Sequence, residues 1–314
     1  MKYSVANPIY DSVFKFLMDD SRVAKTILSA LLKKEVVSVE MRRHEHPNIT
    51  RDNISMFRID FAAKVKEEDG SIHLILIELQ KTWIDTETLR FRRYLAAQYN
   101  AEENMQTEDT NKGFAIPMVA IYLLGHRIGD IDKAVIYVNR KALDYDGKEI
   151  HNGEKDPFIN SLTHDSIIVQ IPLLHGKINN KLDRVLSVFD QTRRDEENQH
   201  IVCIDIDNYE GDSELMHIVH RLGLATMSAD IRQQMNDEDE FFSAIESRDT
   251  QLMRANKMIS EAKAQLNEKD AQLNEKDAQI KAMAAAMLQN GLSIEIVANA
   301  TNRSVEDIKN MLGL

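Results

Sequence analysis

The chain has 314 residues, 43% of them hydrophobic, a formal net charge of −12 and a single cysteine, Cys203. That length allows one large core or two smaller ones with chain to spare. The lone thiol excludes an intrachain disulfide and suits a reducing cytoplasm, and the acidic balance argues against a protein that coats nucleic acid by bulk charge.

No apolar run approaches the roughly 18 residues of a membrane span, and "MKYSVANPIYD" lacks the apolar centre of a signal peptide, so neither membrane insertion nor export is expected. The charge is uneven along the chain. Residues 1–100 carry 16 Lys/Arg against 14 Asp/Glu, and the remainder carries 23 against 37. The N-terminal third is therefore the part suited to a polyanion.

In chain order, "NPIYDSVFKFLMDD" opens on an Asn7-Pro8 turn and continues with Ile9, Val13, Phe14, Phe16 and Leu17 at helical spacing. A second helix follows through "SRVAKTILSALL", with Ser21 as its expected cap. "EVVSVEMRRHE", "ISMFRIDFAAKVK" and "SIHLILIELQK" read as three strands, the last two joined by an Asp-Gly turn in "EEDGS". "TETLRFRRYLAAQYNAEEN" returns to the helical period and ends before Lys112-Gly113. "AIPMVAIYLLGH" suits a strand covered on both faces, and "KAVIYVNR" and "DSIIVQIPLL" are two further strands. The order helix, helix, three strands, helix, strands describes a mixed α/β domain.

From "NKLDRVLSVFD" onward the chain reads as helical almost to its end, with "DEDEFF" as a charged helix start. "AQLNEKDAQLNEKDAQI" is a seven-residue repeat whose ladder is Ile259, Leu266, Leu273, Ile280 and Met287. The second seam position holds Asn256, Lys263, Asp270 and Asp277, or Lys269 and Lys276 in the other register. One apolar residue per heptad makes a narrow stripe, so a weakly self-associating coiled-coil helix and a solvated spacer both remain open. In "MLQNGLSIEIVANATNRSVEDIKNMLGL", Gly291 ends the long helix, Ser293 starts a short one, and Ser304 with Asp307 resembles a capping box. With only Arg303 and Lys309 as basic residues, a packing module is favoured there over a helix-turn-helix reader.

The chemistry concentrates in the hairpin Ile59 to Lys81, where Asp60, Glu78 and Gln80 sit among apolar residues. A turn near Asp69 pairs residues whose numbers sum to about 138 to 140. Asp60 shares a face with Glu78 and Gln80 only if that sum is even, which requires an odd loop or a bulge. Two carboxylates that close repel unless one protonates or a cation lies between them. A hard divalent ion such as Mg²⁺ suits these oxygen ligands. The alternative is ion pairing of Asp60 and Glu78 with Lys64, Arg58 or Lys81 at a sheet edge.

"NPIYDSVFKFLMDD", "FRIDFAAKV", "LIELQK" and "RFRRYLAAQY", taken together and in order, resemble the PD-(D/E)XK nuclease superfamily. More narrowly they are similar to the bacterial recombination-promoting nucleases, also called PD-(D/E)XK nuclease family transposases, across roughly residues 5 to 250. The resemblance implies a restriction-endonuclease-like core of helix, three-stranded meander, helix and strand. It also implies a Mg²⁺- or Mn²⁺-dependent endonuclease acting on DNA, with a part in recombination or mobile elements. Carried onto this sequence, Asp60 and Glu78 are the metal-binding acids, and Leu79 joins them in the expected metal set. Gln80 stands where the superfamily usually has Lys, and Ile59 where it nominally has Pro. Gln80 cannot accept a proton and can only position the nucleophile, so water activation falls to the metal; Lys81, on the opposite strand face, has a supporting role.

Asp11 matches the acidic residue of the superfamily's first helix, and an N-terminal helix-dipole role explains it equally well. Lys15, one turn later, and Arg90 and Arg93 on the helix after Glu78 are the expected phosphate contacts. The alternative for Arg90 and Arg93 is a solvated helix face with Tyr94 and Phe91 in the core. His44 and His46, the His217/His220 pair and Cys203 lack the partners of a metal or catalytic site, and Cys203 reads as a core thiol. No phosphate-binding glycine loop or nucleophile elbow is present.

The expected organisation is a nuclease-like domain over 1–190, a helical extension over 191–250, a heptad helix over 251–287 and a small helical unit over 288–314. Self-association through the C-terminal helices would pair two active sites. The rival function is a nuclease fold that has lost catalysis and serves as a nucleic-acid-binding or assembly scaffold.

Overall fold

The computed structural model of the chain describes residues 1–41, 61–81, 87–106, 113–151, 153, 156–176 and 178–314, apart from the side chains at 87, 89, 90, 245–250, 252 and 253. Two compact units are present, Met1–Glu240 and Phe241–Leu314. The first is a mixed α/β unit. Its opening strand β1 (Lys2–Ala6) leads into α1 (Asp11–Met18) and α2 (Ser21–Leu32), whose buried residues recur at helical spacing. The cap of α2 is Asp20, not Ser21: its carboxylate accepts from the amides of Arg22 and Val23, leaving Ser21 as the first helical residue.

Next come β2 (Val36–Met41), β3 (Phe61–Glu67) and β4 (Ile72–Gln80), forming an antiparallel meander. The β3–β4 loop is odd, as an even pairing sum demands. Phe61 faces Ile77 and Lys66 faces Ile72, a constant sum of 138. The loop is closed by the Glu67 amide on the Ser71 carbonyl, with Gly70 at φ 85°. That positive φ is the left-handed position at which a three-residue hairpin loop needs glycine. The Asp69 side chain locks the turn by accepting from the Ser71 amide and hydroxyl.

Helix α3 (Glu87–Tyr99) is shorter than its periodicity suggests, and the "EEN" stretch after it forms a separate 3-10 turn. The chain then enters β5 (Met118–Leu124), β6 (Val135–Val138), the short α4 (Pro157–Leu162) and β7 (His164–Gln170). The strand order is β2-β3-β4-β5-β7-β6, with β4, β5 and β7 parallel and the remaining pairs antiparallel. Ile121 and Leu123 of β5 lie in the main core, whereas Met118 joins the cluster on the other face. Cover on both faces is why this strand is nearly continuous in apolar residues.

The expectation of unbroken helix after residue 180 fails. Following α5 (Lys181–Leu186), the chain makes 3-10 turns and a strand, β8 (Ile201–Asp205), that pairs antiparallel with β1 from Lys2↔Asp205 to Ala6↔Ile201. Then α6 (Ser213–Met227) adds Leu215, Ile218, Val219, Leu222 and Ala225 to the main core. The residues between 191 and 240 thus fold with the first unit. Helix α7 (Ala229–Gln289) starts well before "DEDEFF", and its opening turns bury Ile231 and Met235 in the same core. His217 binds the Asp20 carboxylate at 2.9 Å. Cys203 is half-buried beside the Ser4 hydroxyl, not a core thiol. His44 and His46 lie outside the described residues.

In the second unit, α8 (Ile294–Thr301) and α9 (Val305–Leu312) pack against the end of α7 through Val297, Ala298, Ile308 and Ala284. Ser304 and Asp307 form the expected capping box, and Gly291 carries the positive φ after α7. Met287 belongs to this core, whereas Ile259, Leu266 and Leu273 stay 53–59% exposed. No helix among the described residues is long and apolar enough to cross a membrane.

Candidate functional site

Side chains alternate along β4, so Leu74, Leu76, Glu78 and Gln80 share one face, while Ile75, Ile77 and Leu79 share the other. The first face carries the smaller apolar cluster of Leu74, Leu76, Ala62, Ile116 and Met118, onto which Leu95 of α3 packs. The second faces the main core. Glu78 and Gln80 are buried, at 6% and 3% exposure. A carboxylate and an amide two residues apart therefore point to the α3 side in largely apolar surroundings.

Across the parallel ladder Glu78 neighbours Tyr122, and Gln80 neighbours Leu124. Burial, then the Glu78 charge, pushes the Tyr122 phenol up to about 12. Phe91 stacks at a tilt on Tyr122, 5.1 Å between ring centroids. Phe91 and Tyr94 are half-buried on α3 and Arg93 is exposed, while the Arg90 side chain lies outside the described residues. Asp60 also lies outside them. Leu79 points its side chain into the main core, so only its backbone carbonyl has an oxygen to offer a cation.

The carboxylate of Glu78 and the amide of Gln80 are hard oxygen donors, the chemistry Mg²⁺ selects. They supply two side chains of a shell, and no group of three His, Cys, Asp or Glu suited to a metal ion occurs among the described residues.

Backbone contact sets where β4 ends. The Gly125 amide donates to the Gln80 carbonyl at 2.7 Å. A Cβ at Gly125 would lie 2.1 Å from the Lys81 carbonyl oxygen and 2.8 Å from its carbon. Gly125→Ala is expected to push β5 off the end of β4, costing about 1–3 kcal/mol or more in chemical denaturation and lowering the phenol pKa of Tyr122 as its cover loosens.

On the opposite side of the sheet lies a charged cluster absent from the sequence reading. Lys81 donates to Asp239 at 2.7 Å, and its ammonium sits 3.6 Å from the centroid of the Tyr10 ring. His200 Nε2 is 2.7 Å from the other Asp239 oxygen, and the Tyr10 hydroxyl donates to both at 3.0 Å. Glu238 accepts from the amides of Asp11 and Ser12, each at 2.9 Å, capping α1. Asp11 itself pairs with Lys15 at 2.5 Å. Asp11 and Lys15 thus gather with Lys81 on the α1 side, whereas Glu78 and Gln80 face α3. Tyr10, His200, Glu238 and Asp239 carry no local signature. Only the acidic "DEDEFF" hinted at their existence.

The two neighbouring acids respond to pH in opposite senses. Burial pushes Asp239 up, but hydrogen bonds from Lys81 and His200, the Lys81 charge and the Tyr10 hydroxyl outweigh it and hold the group below the usual range. Burial holds Glu238 above its usual range despite its bonds to α1, with the Asp11 charge adding to the rise. The Asp239 contribution is present above the unfolded Asp pKa of about 3.9 and is lost as pH falls through the lower folded value. The Glu238 contribution is present below the unfolded Glu pKa of about 4.3 and is lost as pH rises through the higher folded value. Melting temperature against pH should accordingly show a shallower acid limb in Asp239→Asn and a shallower decline above about pH 4.3 in Glu238→Gln, since other depressed carboxylates such as Asp20 and Glu214 keep their share of the acid limb.

Compared with protein-family models, with characterised proteins and with solved structures, the chain matches none.

Proposed function

We propose that the chain is a metal-dependent DNA endonuclease that hydrolyses phosphodiester bonds. The observation that carries this reading is the buried pair Glu78 and Gln80, side by side on one face at the end of β4, in a hairpin whose pairing sum is even. The order α1, meander β2-β3-β4, α3, β5 supports a restriction-endonuclease-like core, and the resemblance of "FRIDFAAKV" and "LIELQK" to the PD-(D/E)XK motifs supplies the activity.

In this reading Asp60 and Glu78 hold a Mg²⁺ or Mn²⁺ ion, with Leu79 contributing to its shell. When bound, the ion lowers the pKa of a water and offsets phosphate charge. Gln80 orients that water through its amide and cannot take its proton. Arg90 and Arg93 on α3 and Lys15 on α1 neutralise the DNA backbone, Asp11 assists the metal shell, and Lys81 has a supporting role. The exposed Ile259, Leu266 and Leu273 ladder of α7 favours a homo-oligomer in which two such sites cut two strands.

The test is plasmid nicking with Mg²⁺ or Mn²⁺ beside Asp60→Ala and Glu78→Ala. Cleavage by the wild type that both substitutions abolish supports the reading. A wild type with no cleavage in either ion favours a non-catalytic nucleic-acid-binding scaffold, a reading that the engagement of Lys81 by Asp239 also favours.

A further inference from the structure

Five donors from three parts of the chain converge on two consecutive carboxylates. Lys81 at the end of β4, His200 before β8 and Tyr10 before α1 enclose Asp239. The amides of Asp11 and Ser12 take both oxygens of Glu238. The donors are fixed from behind. Tyr10 is 1% exposed and meets His200 edge to face at 5.0 Å. Asn7 binds the Gln191 side chain and the Gln199 carbonyl, and its amide donates to the carbonyl of His200. Both acids, by contrast, come from one stretch of one helix, α7.

Such an arrangement is an oxyanion cradle filled by two side chains of a single helix, whose start is held in the main core by Ile231 and Met235. The donors of the cradle serve four carboxylate oxygens: the two amides take one oxygen each of Glu238, Lys81 and His200 one each of Asp239, and the Tyr10 hydroxyl reaches both of the latter. Helix-start amides beside cationic side chains are donors that phosphate oxygens also accept from. Glu238 is also an imperfect occupant. Burial holds its carboxyl above the usual range, whereas a phosphodiester remains ionised throughout that range. Lys15 stands one turn along α1, paired to Asp11.

We propose that Lys81, His200, Tyr10 and the first amides of α1 form a binding site for a backbone phosphodiester of a polynucleotide, and that Glu238 and Asp239 occupy it as an internal mimic of that anion. The proposal deepens the nuclease reading, on which its choice of ligand rests. In the resting chain the acids hold Lys81 away from substrate. Binding of DNA then requires the Glu238 and Asp239 side chains to leave the cradle while Ile231 and Met235 keep the start of α7 in the core, which makes the acids a brake on DNA binding.

The test uses the full chain with Glu238→Gln and Asp239→Asn combined, and measures binding of a short labelled DNA duplex in EDTA across a range of salt concentrations. The expected result is at least a tenfold gain in affinity, with a salt slope steeper by about one, the signature of one added phosphate contact. Adding Lys81→Met to that variant should remove the gain. Unchanged or weaker binding by a folded variant, with a lower melting temperature, overturns the proposal and leaves the acids as a structural clamp. Should the double variant not fold, Glu238→Gln alone is read by the same criterion. Inorganic phosphate separates the two sources of the anion. If it raises the melting temperature of the variant while duplex binding shows no gain, the polynucleotide assignment is overturned. Because binding is measured in EDTA, absence of cleavage in Mg²⁺ defeats the nuclease reading alone, and absence of a binding gain defeats this proposal alone.

Discussion

Under the nuclease function proposed above, exchange of Glu78 for Gln is expected to lower Mg²⁺-dependent DNA cleavage by more than about 100-fold, because loss of residues that merely support a metal ligand already costs about 10–100-fold. The fold should survive the change. Gln keeps the volume and a carbonyl oxygen, and it relieves the cost of a charge at a position only 6% exposed. A second readout is independent of cleavage. The Glu78 charge contributes to the elevation of Tyr122 to about 12, so Glu78→Gln should lower that phenol's pKa in an absorbance titration. A variant that cleaves as well as the wild type removes Glu78 from the chemistry. A variant whose Tyr122 titration is unmoved removes the electrostatic contact as well.

Phe14→Ala is expected to cost about 3–5 kcal/mol, the range for deleting a ring from a core that cannot collapse around the gap. Phe14 is fully buried in α1 and meets Phe189 at 6.3 Å between centroids, with Leu17, Val13 and the α2 residues closing around it. For a unit of this size, each kcal/mol moves the melting temperature by roughly 2–4 °C, so a fall of about 10 °C is the expected outcome. Calorimetry checks it. A shift of a degree or two would mean that α1 packs loosely, and that Asp11, Lys15 and Tyr10 are held by the charged cluster at α7 instead of by the core.

That distinction bears on how the candidate site is held. Glu78 and Gln80 are placed by strand alternation and by burial against α3, a local arrangement that β4 brings with it. Lys81 is placed by Asp239, 158 residues away. Its neighbourhood therefore depends on α7, whereas the Glu78 neighbourhood depends on the sheet.

The legible and illegible elements divide along the same line. The hairpin and the shared face of Glu78 and Gln80 could be read because a period of two and an Asp-Gly turn are written in contiguous residues, whereas the parity of the loop was left open and only the strand pairing fixed it. The capping box at Ser304 and the glycine stop at Gly291 were equally local. The cap of α2 was misplaced by one residue because Asp20 and Ser21 are both competent caps, and only the backbone geometry chooses between them. The strand at Ile201–Asp205 was missed because five residues carry too little periodicity, and its partner lies about 200 positions earlier in a segment equally short.

From its own pattern the chain determined the helices α1 and α2, the strands β2 to β7, which face of each is apolar, and that a carboxylate and an amide occupy an apolar strand face in the N-terminal half. These are properties of one element at a time, and hydrophobic periodicity records them directly. Tertiary structure alone decided that β1 pairs with β8, that residues 191–240 complete the first unit, and that Glu238 and Asp239 meet Tyr10, Lys81 and His200. The reason is physical: a charged side chain on an amphipathic surface looks the same whether it faces water or a partner from a distant segment. Only the packing that brings those segments together determines which of the two it meets.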